Sequence, residues 1–196
     1  ADRLRLVPLG VETERASEPE IARVRQVYRL PDEYLLFVGT VEPRKNLKGL
    51  VAALEHLRNP PLLVVAGADG WGDSGVTESD QVRFLGFVPS EDLSGLYGGA
   101  AVFCYPSERE GYGLPVLEAM AQGTPVVTSR GTATEETAGN AAVLVDPMDP
   151  HDIARGIDEA ARRHNELAAK GLARAQRRSW AATATLTAAA YRELAG

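Results

Sequence analysis

Short, continuous apolar runs that each end at a glycine or a turn constrain this chain more than any other feature. Tyr34-Leu35-Leu36-Phe37-Val38 ends at Gly39, Leu62-Leu63-Val64-Val65-Ala66 at Gly67, and Val82-Arg83-Phe84-Leu85 at Gly86. Three more runs follow at 101–105, 125–128 and 142–145. Between them lie stretches with helical spacing. Leu47, Leu50, Val51, Leu54 and Leu57 place one apolar face on a helix over 46–57. Ser90-Glu91-Asp92-Leu93 is a helix-start signal for 90–97 with Ser90 as the cap, and a helix over 115–122 is closed by Gly123. From Pro150 onward the chain reads as helical and rich in Ala and Arg. Strands without polar alternation are buried on both faces, which requires a parallel sheet covered by helices. The expected fold is therefore α/β, a doubly wound Rossmann-like parallel sheet of about six strands. A single domain is expected over 1–196, with a linker and leading helix in 1–30, the core in 31–150 and C-terminal helices in 151–196.

In such sheets ligands bind outside the carboxyl ends of the strands, so the loops after 38, 66, 85, 105 and 128 are where chemistry is expected. In Glu110-Gly111-Tyr112-Gly113-Leu114-Pro115-Val116-Leu117-Glu118, Pro115 suits the first position of a helix, whose free N–H groups and dipole attract an anion. Gly111 and Gly113 let backbone approach a ligand, and Glu118 leans back toward the helix start. Two carboxylates beside an anion site fit a phosphate ester that carries many hydroxyls. In Gly39-Thr40-Val41-Glu42-Pro43-Arg44-Lys45-Asn46, Asn46 is a plausible N-cap. Two cations just before a helix oppose its dipole, which makes sense around a bound diphosphate. The loop Gly86-Phe87-Val88-Pro89 reads either as a shelf for a flat base or as a routine connection.

Charge narrows the choice of partners. Residues 31–150 carry seven Lys and Arg against seventeen acids, a poor nucleic-acid binder. The basic end, with Arg162, Arg163, Arg174, Arg177 and Arg178, reads as a solvated helix face or as a contact for anionic lipid. Cys104 sits alone in an apolar run and is expected in the core, in keeping with a reducing compartment. Gly67-Ala68-Asp69-Gly70-Trp71-Gly72 lacks dinucleotide-fingerprint spacing. His56, His151 and His164 are scattered, and Asp146 and Asp149 flank a turn.

The string Ser107-Glu108-Arg109-Glu110-Gly111-Tyr112-Gly113-Leu114-Pro115-Val116-Leu117-Glu118-Ala119-Met120 resembles the glutamate–seven-residues–glutamate motif of retaining glycosyltransferases of family 4 with the two-domain GT-B fold. The likeness continues through 123–127, 142–147 and 39–46, and Val7-Pro8-Leu9-Gly10-Val11 resembles the linker entering that family's C-terminal, donor-binding domain. The resemblance implies that Lys45 holds the donor diphosphate with help from Arg44. It implies that Glu118 binds the ribose, that Glu110 contacts the donor sugar, and that Gly113, Leu114 and neighbouring Tyr112 surround the phosphate. Val88 would lie by the base. Thr40 stands where many members have an arginine, so the phosphate grip shifts to Arg44 and Lys45.

The implied donor is a nucleoside diphosphate sugar, GDP- or UDP-linked. GDP-mannose is favoured because the 39–46 string resembles those of mannosyl-transferring members. No metal cofactor is implied. The acceptor-binding N-terminal domain, with its glycine-rich loop and frequent histidine, is not in this sequence. The chain is thus expected to be a fragment or one subunit of a split enzyme, inactive alone. An exposed apolar patch is expected near Trp180 and Tyr191, in helices resembling those that cross back to the other domain. A cytoplasmic location, with peripheral contact at the inner membrane face, is also implied. The competing readings are a non-catalytic nucleotide-sugar module, an epimerase or phosphorylase of the same fold, and a purely structural interaction domain.

Overall fold

The computed structural model describes residues 4–68, 70 and 75–195. Six strands, β1 (Tyr34–Val38), β2 (Leu62–Ala66), β3 (Val82–Gly86), β4 (Val102–Tyr105), β5 (Val126–Ser129) and β6 (Ala142–Val145), form one parallel sheet in the order β3-β2-β1-β4-β5-β6. This is the strand order of a Rossmann sheet, and its direction of winding reverses between β1 and β4. The central strands are apolar because both faces are covered: Leu35, Leu36, Phe37, Val64, Val65, Phe103 and Cys104 are buried. Burial pushes the Cys104 thiol far above its ordinary range, as expected of a packing residue.

Eight helices are described: α1 (Glu18–Val27), α2 (Leu47–Leu54), α3 (Ser90–Gly98), α4 (Leu114–Ala121), α5 (Ala133–Ala138), α6 (Pro150–Arg162), α7 (His164–Gln176) and α8 (Trp180–Ala195). Four details differ from the sequence expectation. α2 stops at Leu54 rather than 57. Ser90 is the first helical residue of α3 and Pro89 its cap. Pro115 occupies the second helical position of α4. α5 has no counterpart in the sequence reading. Its six residues are too short to show a period, and Thr132 starts it by accepting from the Thr134 N–H. Asp149 caps α6 through the His151 N–H at 2.9 Å, and Asp146 accepts from Met148 at 2.9 Å, so both aspartates are turn-builders.

The loops after β1 and β2 press together at the carboxyl edge of the sheet. A Cβ on Gly67 would lie 2.0 Å from the Gly39 carbonyl oxygen, which is backbone and cannot swing aside. Gly67→Ala is therefore expected to lower unfolding free energy by about 3 kcal/mol or more, read from urea denaturation. The string 67–72 lies partly outside the described residues.

The five arginines of the basic end do not form one solvated row. Arg163 pairs with Glu159 and Glu166, and Arg174 donates to the carbonyls of Thr137 and Glu136 at 3.0 and 2.6 Å, satisfying the end of α5. Arg178 reaches the Tyr112 hydroxyl at 3.4 Å. Trp180, Leu186, Tyr191 and Leu194 are exposed along α8, as are Leu4, Leu6 and Leu9 beside it. No described helix is long and apolar enough to cross a membrane.

Candidate donor site

Two loops bracket the point where the sheet reverses. After β1 the chain makes a single 3-10 turn, Pro43–Lys45, and then Asn46 adopts left-handed backbone (φ 56°). Asn46 caps α2 by accepting from the Gly49 N–H at 3.1 Å and donates to the Pro147 carbonyl at 2.6 Å, as its cap reading required. After β4 the chain runs through Glu108 to Gly113 into α4. The loops are tied together by the Glu108 N–H donating to the Arg44 carbonyl at 2.9 Å.

This brings Lys45 and Glu110, 65 residues apart, into a buried ion pair at 2.5 Å, with side chains 9% and 8% exposed. Lys45 Nζ also donates to the Tyr105 hydroxyl and sits 4.7 Å from the centre of that ring. Arg44 is braced beside them. Its Nε donates to Glu42 at 2.7 Å, and its Nη1 donates to the Arg109 carbonyl at 3.2 Å and lies 3.4 Å from Glu110. Burial raises the Glu110 pKa, but the Lys45 hydrogen bond and charge, helped by the Tyr105 hydroxyl, outweigh it. The net shift is downward, so Glu110 is ionised at neutral pH. Burial holds Tyr105 in its neutral, donating form.

Gly113 starts α4 from left-handed backbone (φ 94°), and a Cβ there would meet the Thr134 methyl at 2.7 Å. The N–H groups of Gly113 and Leu114 have no acceptor among the described residues, which leaves two donors free at the positive end of α4. One turn on, Glu118 faces a cavity of about 250 Å³ that Leu114, Ser90, Leu93, Ser94 and Tyr97 also line. Glu118 accepts from the Tyr97 hydroxyl at 2.7 Å. Burial raises its pKa, and that bond only partly offsets the shift. A raised carboxyl pKa favours the folded state at low pH and costs stability as pH rises through the folded pKa. Glu118→Gln is therefore expected to raise Tm by about 2–4 °C at pH 7.5, with the gain vanishing as pH falls to about 4.5. Thermal melts at both pH values check this.

The other sequence candidates are placed as follows. Thr40 is exposed in the β1 loop, its methyl against Gly70. Val88 is buried in the core, so a role at a base would fall to its backbone or to neighbouring Phe87, which is 77% exposed. The Tyr112 hydroxyl donates to the Leu9 carbonyl at 3.1 Å, and its own carbonyl accepts from Thr137 at 2.5 Å. Sequence reasoning missed Tyr97 and Tyr105, although Tyr105, inside an apolar run, needs a partner for its hydroxyl. His56 and His151 stack with ring centres 3.7 Å apart. Among the described residues no group of three or more His, Cys, Asp or Glu could hold a metal ion. A larger open recess of about 630 Å³ borders β6, but its arginines and acids, such as Arg155 with Asp152 and Glu159, neutralise one another.

Comparison with known proteins identifies the family and supports the fold. The Glycosyl transferases group 1 family model matches residues 20–177. The chain is 38% identical to O-antigen chain mannosyltransferase B of Escherichia coli, over 99% of its own length and 55% of that protein. It is 35% identical to D-inositol 3-phosphate glycosyltransferase of Frankia alni, over 97% of its own length and 53% of the relative's. The chain thus spans about half the length of the curated relatives it matches. Among solved structures, sucrose-phosphate synthase of Thermosynechococcus elongatus superposes with a TM-score of 0.84 at 28% identity, covering 97% of this chain and 52% of that one. Anabaena HepE in complex with UDP and glucose shares the fold with a TM-score of 0.80 at 20% identity, over 95% of this chain and 55% of that one. A six-stranded parallel sheet, a family match over most of the chain and a relative 38% identical along nearly its whole length lead to one conclusion: this protein belongs to the Glycosyl transferases group 1 family.

Proposed function

We propose that this chain is the donor-binding half of a retaining glycosyltransferase that moves a sugar, mannose by preference, from a nucleoside diphosphate to an acceptor hydroxyl. The observation that carries the reading is the convergence of buried Lys45, ionised Glu110 and the α4 loop where the sheet reverses. The donor diphosphate would lie against Lys45, Arg44 and the free N–H groups of Gly113 and Leu114. These groups match charge that grows on the departing diphosphate, in a setting already organised to receive it. No metal cofactor enters this scheme, because the two cations and the helix start meet that charge. Glu118, with one oxygen held by Tyr97, would accept from the ribose hydroxyls. Glu110 would sit beside the sugar, where a fixed negative charge favours positive charge developing at the anomeric carbon.

The preference for mannose is supported by the Escherichia coli mannosyltransferase relative and by a second named mannosyltransferase, WbdA, at 33% identity. The acceptor site would belong to a second domain, which the relatives' extra length can accommodate. Calorimetric titration of the chain with GDP and UDP, alone and as Glu118→Ala, tests the reading. Binding that prefers one base and weakens at least tenfold in the variant is expected. Undiminished binding in Glu118→Ala would place the nucleoside elsewhere. Turnover by the full-length enzyme then separates a catalyst from a module that only holds the donor.

A further inference from the structure

Beneath the proposed site lies a row of buried rings that the site chemistry does not itself use. Tyr97, on α3, is 2% exposed, and its ring meets Phe103 edge-on with centres 5.3 Å apart. Phe103 stacks on Tyr105 at 5.6 Å, and Tyr105 in turn packs on Phe37 at 5.8 Å. Both tyrosine hydroxyls leave this row at the site. Tyr97 donates to Glu118 Oε2 at 2.7 Å, and Tyr105 accepts from Lys45 Nζ. The backbone of Tyr97 is pinned as well, its carbonyl accepting from Thr124 Oγ1 at 2.7 Å.

The arrangement has a chemical consequence at Glu118. Its Oε2 is occupied by Tyr97, while Oε1 has no hydrogen bond among the described residues and remains an open acceptor in the cavity. A glutamate side chain has three rotatable bonds, and one charge-assisted hydrogen bond from a rigid, buried ring removes most of that freedom. A carboxylate fixed in this way reads hydroxyl positions, whereas a free one attracts any donor. At the other end, the Tyr105 hydroxyl holds Lys45 Nζ over the same floor, so cation and carboxylate keep a set separation.

We propose that Tyr97 and Tyr105 are positioning residues, joined through Phe103 into one rigid floor, and that Tyr97 makes Glu118 selective for a ribose over a deoxyribose. The proposal rests on the reading of Glu118 as the ribose acceptor. Neither tyrosine is assigned a contact with the donor. Each acts through the charged group that it holds.

Phenylalanine substitutions test this, because they keep the ring and remove only the hydroxyl. The affinities of the chain for GDP and UDP, for their 2′- and 3′-deoxy analogues, and for guanosine and uridine are measured by calorimetry. In Tyr97→Phe the preference for the ribose form is expected to fall about tenfold, with affinity for the deoxy form nearly unchanged. In Tyr105→Phe the advantage of the diphosphate over the nucleoside is expected to fall about tenfold, with ribose preference intact. A purely structural role would weaken ribo and deoxy ligands together and leave the ratio alone, which would overturn the proposal. Glu118→Gln run in parallel keeps the two ideas apart. If it abolishes ribose preference while Tyr97→Phe does not, positioning by Tyr97 is wrong and the ribose reading stands. If Glu118→Gln leaves the preference intact, or if no nucleotide binds, the ribose reading fails and the proposal falls with it.

Discussion

Lys45→Ala is expected to weaken binding of the preferred nucleoside diphosphate about a hundredfold and to destabilise the fold as well. The binding loss corresponds to about 2.7 kcal/mol, reasonable for charge-assisted hydrogen bonds to a diphosphate. The stability loss has a different origin. With its side chain 9% exposed, Lys45 neutralises Glu110, which is 8% exposed. Removing Lys45 leaves Glu110 buried with only Arg44, 3.4 Å away, to compensate it, a cost of up to about 3 kcal/mol. The double variant Lys45→Ala/Glu110→Gln removes that charge and is expected to recover much of the stability while recovering none of the binding. Calorimetry and urea denaturation on the same samples separate the two effects. Nucleotide affinity within threefold of the parent in Lys45→Ala would show that the diphosphate does not lie here.

The second large effect is expected at Glu110, in turnover rather than in affinity. In the full-length enzyme, Glu110→Gln is expected to lower kcat by roughly 100- to 1000-fold, the range for losing one well-placed charge at a reacting centre. Nucleoside diphosphate affinity should change less than about tenfold, because the sugar that Glu110 serves is absent from that ligand. Since Lys45 holds the Glu110 pKa below its ordinary range, protonation of this residue should not limit the parent's rate above about pH 5. A variant that keeps parental kcat would remove Glu110 from the chemistry and leave it as the counter-ion of Lys45.

What the sequence made legible follows from which forces act locally. Buried parallel strands announce themselves as apolar runs, so the central strands were readable, and so was half-buried β3 despite Arg83, as was the turn from Gly113 into α4. Asn46 was readable as a cap because its partner, Gly49, is three residues away. The partner of Lys45 was not readable. Nothing near residue 45 states that Glu110 will close on it, since only the sheet order places β1 beside β4. The same limit hid the tyrosines: the Tyr97 hydroxyl meets Glu118 on a different helix, 21 residues on. Arg174 looked like a solvated cation because the end of α5 that it completes was itself invisible. Fold class is thus carried by neighbours in sequence, while the wiring of the site is carried by neighbours in space.

The two ends of the described chain are joined. Val11 donates to the Arg178 carbonyl at 2.8 Å, Thr183 donates to the Pro8 carbonyl at 2.8 Å, and Arg5 pairs with Glu193. The joined ends also wall the cavity that Glu118 faces, through Gly10, Val11, Glu12 and Trp180. A segment secured by few, mostly exposed contacts opens more often than a core strand, and segments that hold each other open as a unit. The amides of Val11 and Thr183 should therefore exchange with solvent deuterium at similar rates, faster than those of β1 and β4. A nucleotide seated on Glu118, in the cavity that Val11 helps to wall, should slow both together, so that protection reaches Thr183, which does not line that cavity.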